Sequence, residues 1–260
     1  MQIFRGVLTG YNEAFIIDTE TKESLVRKSP KSAEIIRPLL RGRDIKAYFP
    51  EYSGLWIIFT RRGIDIEKYP AVKEHLKKYY LDLKPKEGSA TKGRKPGSYE
   101  WYEIQDNVAY WKDFEKPKII YPNMTKYLPF VYDKGSFFIN DKAFIITGQH
   151  LEYLTAFLNS KLFKFCFKDN FPELLGGTRE LRKIFFDYIS VKKIDDNQND
   201  SFKMDINEIF KRKTKGISTQ EIEVKIDREI FSLYNMTADE ISIIEASESV
   251  NQSILYEETK

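Results

Sequence analysis

The chain has 260 residues, 42% hydrophobic and 15% aromatic, with 42 basic and 39 acidic side chains and a net charge of +3. That apolar content excludes a disordered chain, and no apolar run approaches the roughly 20 residues of a membrane-spanning helix. Cys166 is the only cysteine and His75 and His150 the only histidines, which excludes an intrachain disulfide and argues against a zinc site built from Cys and His.

The N-terminus lacks the charged head, apolar core and small-residue cleavage site of a signal peptide. Together with the lone cysteine, this leads us to expect a cytoplasmic protein. The charge is unevenly divided. From Asp195 onward, 15 acidic and 8 basic residues give −7, whereas residues 1–194, with 24 acidic and 34 basic, carry +10. A basic globular body suits a polyanionic partner, nucleic acid first, although a well-solvated surface reads the same way.

In chain order, the first notable stretch runs from Arg5 to Asp18. It sets a cation, Gly6, Gly10 and three hydrogen-bonding side chains (Thr9, Tyr11, Asn12) before the strand-like run Ala14–Asp18. Arg41-Gly42-Arg43 repeats the juxtaposition. Glycine removes the side chain that would block a close approach, and arginine offers a planar fork suited to phosphate or guanine. Further strands are expected at Leu55–Thr60, Lys118–Tyr121, Leu128–Tyr132 and Ala143–Thr147. Asp65–Tyr80 has helical spacing, with Pro70 near its start.

Lys84–Gly97 carries five cations against Glu87, among five Gly and Pro residues, and is expected to be a mobile basic loop. His150–Lys168 is the best helix, with Cys166 near its apolar face. Gly176-Gly177 breaks the chain before Arg179. Residues 1–194 are thus expected to form an α+β body with a mixed or antiparallel sheet, 195–217 a polar linker and 218–260 a C-terminal helical segment. Ser218–Glu221 and Thr237–Glu240 there match capping boxes.

These pieces, taken in order, resemble a known family. Arg5–Asp18, Ile36–Ile45, Ile66–Pro70, Trp101–Ile104, Phe114–Pro122, Leu154–Phe163, Gly176-Gly177, Ile226–Ile230 and Leu233–Ile241 look like the C-terminal specificity (target-recognition) domain of TaqI-like adenine DNA methyltransferases. The same domain occurs in bacterial type IIG restriction–modification enzymes. The resemblance covers nearly the whole chain and implies an α+β recognition domain that binds double-stranded DNA through the major groove. A separate methyltransferase or nuclease module, in cis or in trans, would flip out the adenine. S-adenosylmethionine, and Mg where a nuclease is fused, would belong to that parent protein. The family's glycine-rich cofactor strand and Asn/Asp-Pro-Pro-Tyr/Phe loop are missing from this sequence, which has no Pro-Pro pair. This chain is therefore expected to be non-catalytic by itself, a fragment or a stand-alone specificity polypeptide.

Each candidate DNA-binding residue has a structural alternative. Arg5, Thr9 and Asn12 contact DNA or simply build a turn. Arg41 and Arg43 hold phosphate or pair with Asp44 or Glu51. Lys92, Arg94, Lys95 and Ser98, with Tyr99 and Trp101, form either a loop that orders on DNA or a solvated one. Tyr121, Asn123, Thr125 and Lys126 lie at the end of a strand and in the polar loop after it, where asparagine can read adenine or shape a turn. Lys161 and Arg179 reach phosphates or are solvated. Cys166 reads as core. Two other functions stay open: a partner-docking scaffold using the acidic tail, and a metal-dependent nuclease around Asp65-Ile66-Glu67-Lys68.

Overall fold

The computed structural model describes residues 1–88 and 91–247. Its strands are β1 (Gln2–Arg5), β2 (Ile16–Ile17), β3 (Ile36–Leu40), β4 (Ile45–Lys46), β5 (Phe49–Pro50), β6 (Trp56–Ile58), β7 (Lys118–Pro122), β8 (Met124–Thr125), β9 (Val131–Asp133), β10 (Phe138–Ile139), β11 (Ala143–Thr147) and β12 (Arg179–Glu180). Its helices are α1 (Asn12–Phe15), α2 (Thr19–Lys28), α3 (Pro70–Lys77), α4 (Tyr80–Leu83), α5 (Leu151–Asn159), α6 (Lys161–Phe167), α7 (Lys183–Phe186), α8 (Asp196–Thr214) and α9 (Gln220–Leu233).

The central sheet, ordered β1-β11-β7-β9, is antiparallel throughout. Its strands are apolar on both faces, and the period of two divides them. Ile120, Val131 and Ile145 face one hydrophobic cluster. Ile119, Tyr121 and Ile146 face the other. The first cluster is closed by a second sheet, β10-β3-β6-β2, in which only the β10–β3 pairing is parallel, and by residues of α2 and α3. The second cluster is closed by α5, α6, α8 and α9, whose Phe157, Phe163, Phe202, Ile206, Ile226 and Ile230 are buried. The fold is therefore α+β, as expected. Among the described residues no helix is long and apolar enough to cross a membrane.

Several elements differ from expectation for local reasons. Ala14–Asp18 is part helix, with α1 feeding a two-residue strand. Asp65–Tyr80 is divided, because Pro70 starts α3 at a position where its missing N–H costs nothing. His150–Lys168 breaks at Ser160, whose hydroxyl accepts from the Phe163 N–H and caps α6. Cys166 lies exposed there, not in the core.

The expected linker 195–217 is largely the 19-residue α8. Asp195 and Gln198 cap its start reciprocally, at 2.8 and 3.1 Å, and Phe202, Ile206 and Ile209 give it a buried stripe. The polar residues that suggested a linker are a helix N-terminus and a solvated face. The Thr237–Glu240 box is present. At the other predicted box, Thr219 is the N-cap without a side-chain cap, and its hydroxyl donates to Glu223 instead. Of the expected segment 218–260, residues 248–260 lie outside the described residues.

Candidate nucleic-acid interface

Both Arg-Gly pairs converge on one turn, Asn140–Lys142, between β10 and β11. The Arg5 guanidinium donates to the Asp141 carbonyl at 3.2 Å and carboxylate at 3.3 Å. A Cβ on Gly6 would fall 2.0 Å from the Asn140 carbonyl oxygen, and one on Gly42 would lie 2.9 Å from that of Lys142. The close approach that these glycines allow is therefore to the chain's own backbone. The turn is fixed further by hydrogen bonds from Asn140 N–H to the Leu40 carbonyl and from Asn123 N–H to the Lys142 carbonyl.

Beside this turn lies an open cleft of about 760 Å³. One wall is the segment from Arg41 to Ala47, the other the β7–β8 region from Pro122 to Tyr127 with Pro129, and Asn140 and Lys142 complete it. Arg43, Lys46, Lys126 and Lys142 supply cations, and among the described residues no carboxylate residue lines the cleft. Arg43 is exposed and forms no ion pair among the described residues. Lys46 lies 3.6 Å from Glu51, and Lys142 3.5 Å from Asp141. The cations that line this groove produce an anion-attracting field.

Arg41 has a different task. Its guanidinium holds Asp44 in two 3.0 Å hydrogen bonds and donates to Ser53 at 3.0 Å. Burial would raise the Asp44 carboxyl, but the Arg41 hydrogen bonds and charge outweigh it and hold the group below the usual carboxylate range. This pair shapes the turn that presents Arg43.

The remaining candidates are dispersed. Thr9 is buried, and its hydroxyl donates to Asn12 at 2.8 Å and accepts from the Tyr11 N–H at 3.3 Å. Arg94 is 3% exposed and donates to five carbonyls, those of Thr9, Leu83, Glu100, Trp101 and Glu103. Burial draws its pKa down to about 10, which still leaves it charged at neutral pH. It stacks over the buried Tyr99, 4.3 Å from the ring centre. The expected mobile loop is thus pinned from within, while Lys92, Lys95 and Ser98 stay exposed and Trp101 is half-buried.

Tyr121 is fully buried, stacked on Phe144, and its hydroxyl has no partner among the described residues. Arg179 is buried, donating to the Phe171 carbonyl and pairing with Asp169 and Glu173. Lys161 is not part of the cleft lining; its N–H is bonded to Asp227 and its ammonium lies 3.6 Å from Glu245. It lines a separate hollow against α9 in which Glu51, Glu223, Asp227 and Glu245 offset the lysines. Of the sequence candidates, the structure gathers Arg41, Arg43, Asn123 and Lys126 at the cleft. Lys46, Asn140 and Lys142 were missed, because they join it only through strand pairing.

The model of the TaqI-like C-terminal specificity domain family matches residues 37–191, a span that includes the whole cleft. Among solved structures, the chain is similar to the type IIL restriction–modification enzyme MmeI, solved in complex with DNA. The TM-score is 0.62 at 13% identity, over 97% of this chain and 36% of that one. This chain therefore spans about a third of that protein's length, and at such identity the likeness concerns the fold. The type IIG restriction endonuclease BpuSI gives a TM-score of 0.48 at 14% identity, covering 80% of this chain and 25% of that one. No curated protein matches this sequence.

Proposed function

Because the chain belongs to the TaqI-like C-terminal specificity domain family, its role is DNA recognition, and we propose that it binds duplex DNA at the cleft beside the Asn140–Lys142 turn. The observation that carries this is the gathering of Arg43, Lys46, Lys126 and Lys142 along one cleft whose lining, among the described residues, includes no carboxylate residue. In the hollow at Lys161, by contrast, four acidic residues share the lining with the lysines. Cations gathered along one cleft gain from releasing the counterions condensed on phosphates. Asn123, Thr125 and Asn140, which line the same cleft, supply short side chains of the kind that contact base edges.

Chemistry would reside in another module, joined in cis or in trans. In the bacterial restriction–modification setting of the family, that module is an adenine-specific methyltransferase, with or without a nuclease. S-adenosylmethionine does not fit the residues described here. Among the described residues the one parallel strand pairing, β10 with β3, joins strands separated by six others in the chain, and not the consecutive strand–glycine loop–helix–strand unit that cradles such a cofactor.

The test is direct titration with random-sequence duplex at several salt concentrations, followed by selection of bound sequences. Affinity should fall steeply between low and physiological salt, and a recurring sequence should emerge. An affinity indifferent to salt would overturn the proposal.

A further inference from the structure

The β7–β8 wall of the cleft ends in an exposed aromatic residue. Tyr127 lines the cleft, and its N–H donates to the Thr125 hydroxyl at 3.0 Å. The next residue, Leu128, is buried in the left-handed conformation at φ 47°, where leucine is rarely found. This turn leaves Tyr127 61% exposed. Strand register sets a second loop beside it. Thr125 pairs with Arg179 and Met124 with Glu180, antiparallel, and Arg179 bridges antiparallel to Glu173. Residues 174–178 therefore leave this small sheet at the same end as Lys126 and Tyr127. The base of that loop is fixed by the Leu174 N–H, which donates to the Thr178 carbonyl at 2.6 Å. Arg179 holds the carboxylates of Asp169 and Glu173 there, at 3.0 Å each. The tip carries Leu174 and Leu175, then Gly176 and Gly177, both at φ 72°. Leu175 is 100% exposed.

One exposed leucine on a surface needs no explanation, but here Met124, Tyr127, Leu174 and Leu175 are all large, apolar and exposed on one small sheet and its turns. Met124 and Tyr127 share their cleft with Arg43, Lys46, Lys126 and Lys142, so whatever covers Tyr127 also meets those cations. The occupant must be anionic outside and offer flat apolar surface within. A duplex has both: phosphates along its edges, and base faces that become accessible where a step is unstacked. The loop tip is shaped for entry. Gly176 and Gly177 add no side chains beside Leu175, and a Cβ on either would meet nothing within 4 Å. We propose that Leu175, with Tyr127 on the cleft side, is a wedge that enters a base step of the bound duplex and holds it unstacked. The inference rests on the proposed DNA-binding role of the cleft and adds to it a contact made without charge. Burying the leucine offsets part of the cost of unstacking, and that cost is least at pyrimidine–purine steps such as TA and CA. The wedge therefore selects sequence through deformability, at a step whose base edges it does not read.

The test uses the full chain as wild type and Leu175→Ala. The Leu175 side chain is fully exposed, so the substitution should leave the fold intact, and thermal unfolding of both proteins checks this. The fluorescent base 2-aminopurine is placed at each position in turn along a duplex that contains TA and CA steps. Wild type should raise its emission at one step, as unstacking does, and Leu175→Ala should not. A mismatch at that step, which loosens it beforehand, should strengthen wild-type binding by about 10-fold and Leu175→Ala binding far less. The salt slope of the two proteins should be the same, because the wedge carries no charge. Salt-dependent binding of wild type without any rise in emission would overturn the inference while sparing the cleft. So would a Leu175→Ala protein that matches wild type in emission and in its response to the mismatch; the tip would then belong to a contact with another protein module. Absence of salt-dependent binding would defeat the cleft reading itself and this inference with it.

Discussion

The carbonyl oxygen of Asn140 lies where a side chain on Gly6 would begin, 2.0 Å from the position of its Cβ. The first Arg-Gly pair is thus a seat for the turn that helps form the cleft. Gly6→Ala should push β1 away from the Asn140–Lys142 turn and cost about 1–3 kcal/mol, as overpacking of a close contact does. Gly42→Ala, with 2.9 Å to the Lys142 carbonyl, should cost less. Urea unfolding ranks the two, and a Gly6→Ala protein as stable as wild type would show that the turn yields freely.

Arg94 provides the opposite case, a cation that the sequence suggested for DNA and that the fold uses internally. Its five carbonyl partners join the Thr9 turn, the end of α4 and the Glu100–Glu103 segment. Arg94→Lys keeps the charge but loses the planar fork. A loss of roughly 3 kcal/mol in stability is expected from the broken charge-assisted hydrogen bonds. The salt dependence of DNA binding should stay as in wild type. A reduced slope without loss of stability would return Arg94 to the interface.

The difference between Arg43 and Arg94 marks where the sequence stops being legible. Both sit beside glycine in a basic stretch, and nothing local separates them. Arg43 stays exposed because Arg41 satisfies Asp44, whereas Arg94 is enclosed by carbonyls up to 85 residues away. The central strands were readable, since Ile-rich runs such as Lys118–Tyr121 and Ala143–Thr147 need no distant information to be extended and buried. The cleft was only half readable. Asn140 and Lys142 lie 97 or more residues from Arg43 in the sequence, and only the strand pairings β3–β10 and β7–β11 bring the walls together. The helix α8 was hidden for another reason: its polar first turn looks like a linker until the capping pair is seen.

His75 should make stability depend on pH. Its ring donates to the Ala14 carbonyl at 3.1 Å. Burial pulls its pKa below the ordinary value of 6.5, that hydrogen bond opposes the shift, and the charge of Lys78 adds to it. The folded protein therefore takes up this proton less readily than the unfolded chain. The contribution of His75 is fully present above about pH 6.5 and is lost as pH falls through the folded-state value. Unfolding midpoints should decline from pH 7.5 to 5.5 in wild type and decline less in His75→Gln. Parallel declines in the two proteins would assign the effect to other groups.

Charge at the cleft is tested by comparing Arg43→Ala and Lys142→Ala with Lys161→Ala. Each phosphate contact contributes about 0.9 to the logarithmic salt slope on duplex DNA. Arg43 and Lys142 line the cleft, whereas Lys161 lies opposite Glu245 in the separate hollow. Arg43→Ala and Lys142→Ala should each reduce the slope by about 1 and weaken all sequences alike, because phosphate contacts do not discriminate between bases. Lys161→Ala should leave the slope unchanged. The measurement needs only binding isotherms at four or five salt concentrations on one duplex and one scrambled control. Equal effects of all three substitutions would mean that the field of the whole basic body, and not this cleft, attracts the DNA.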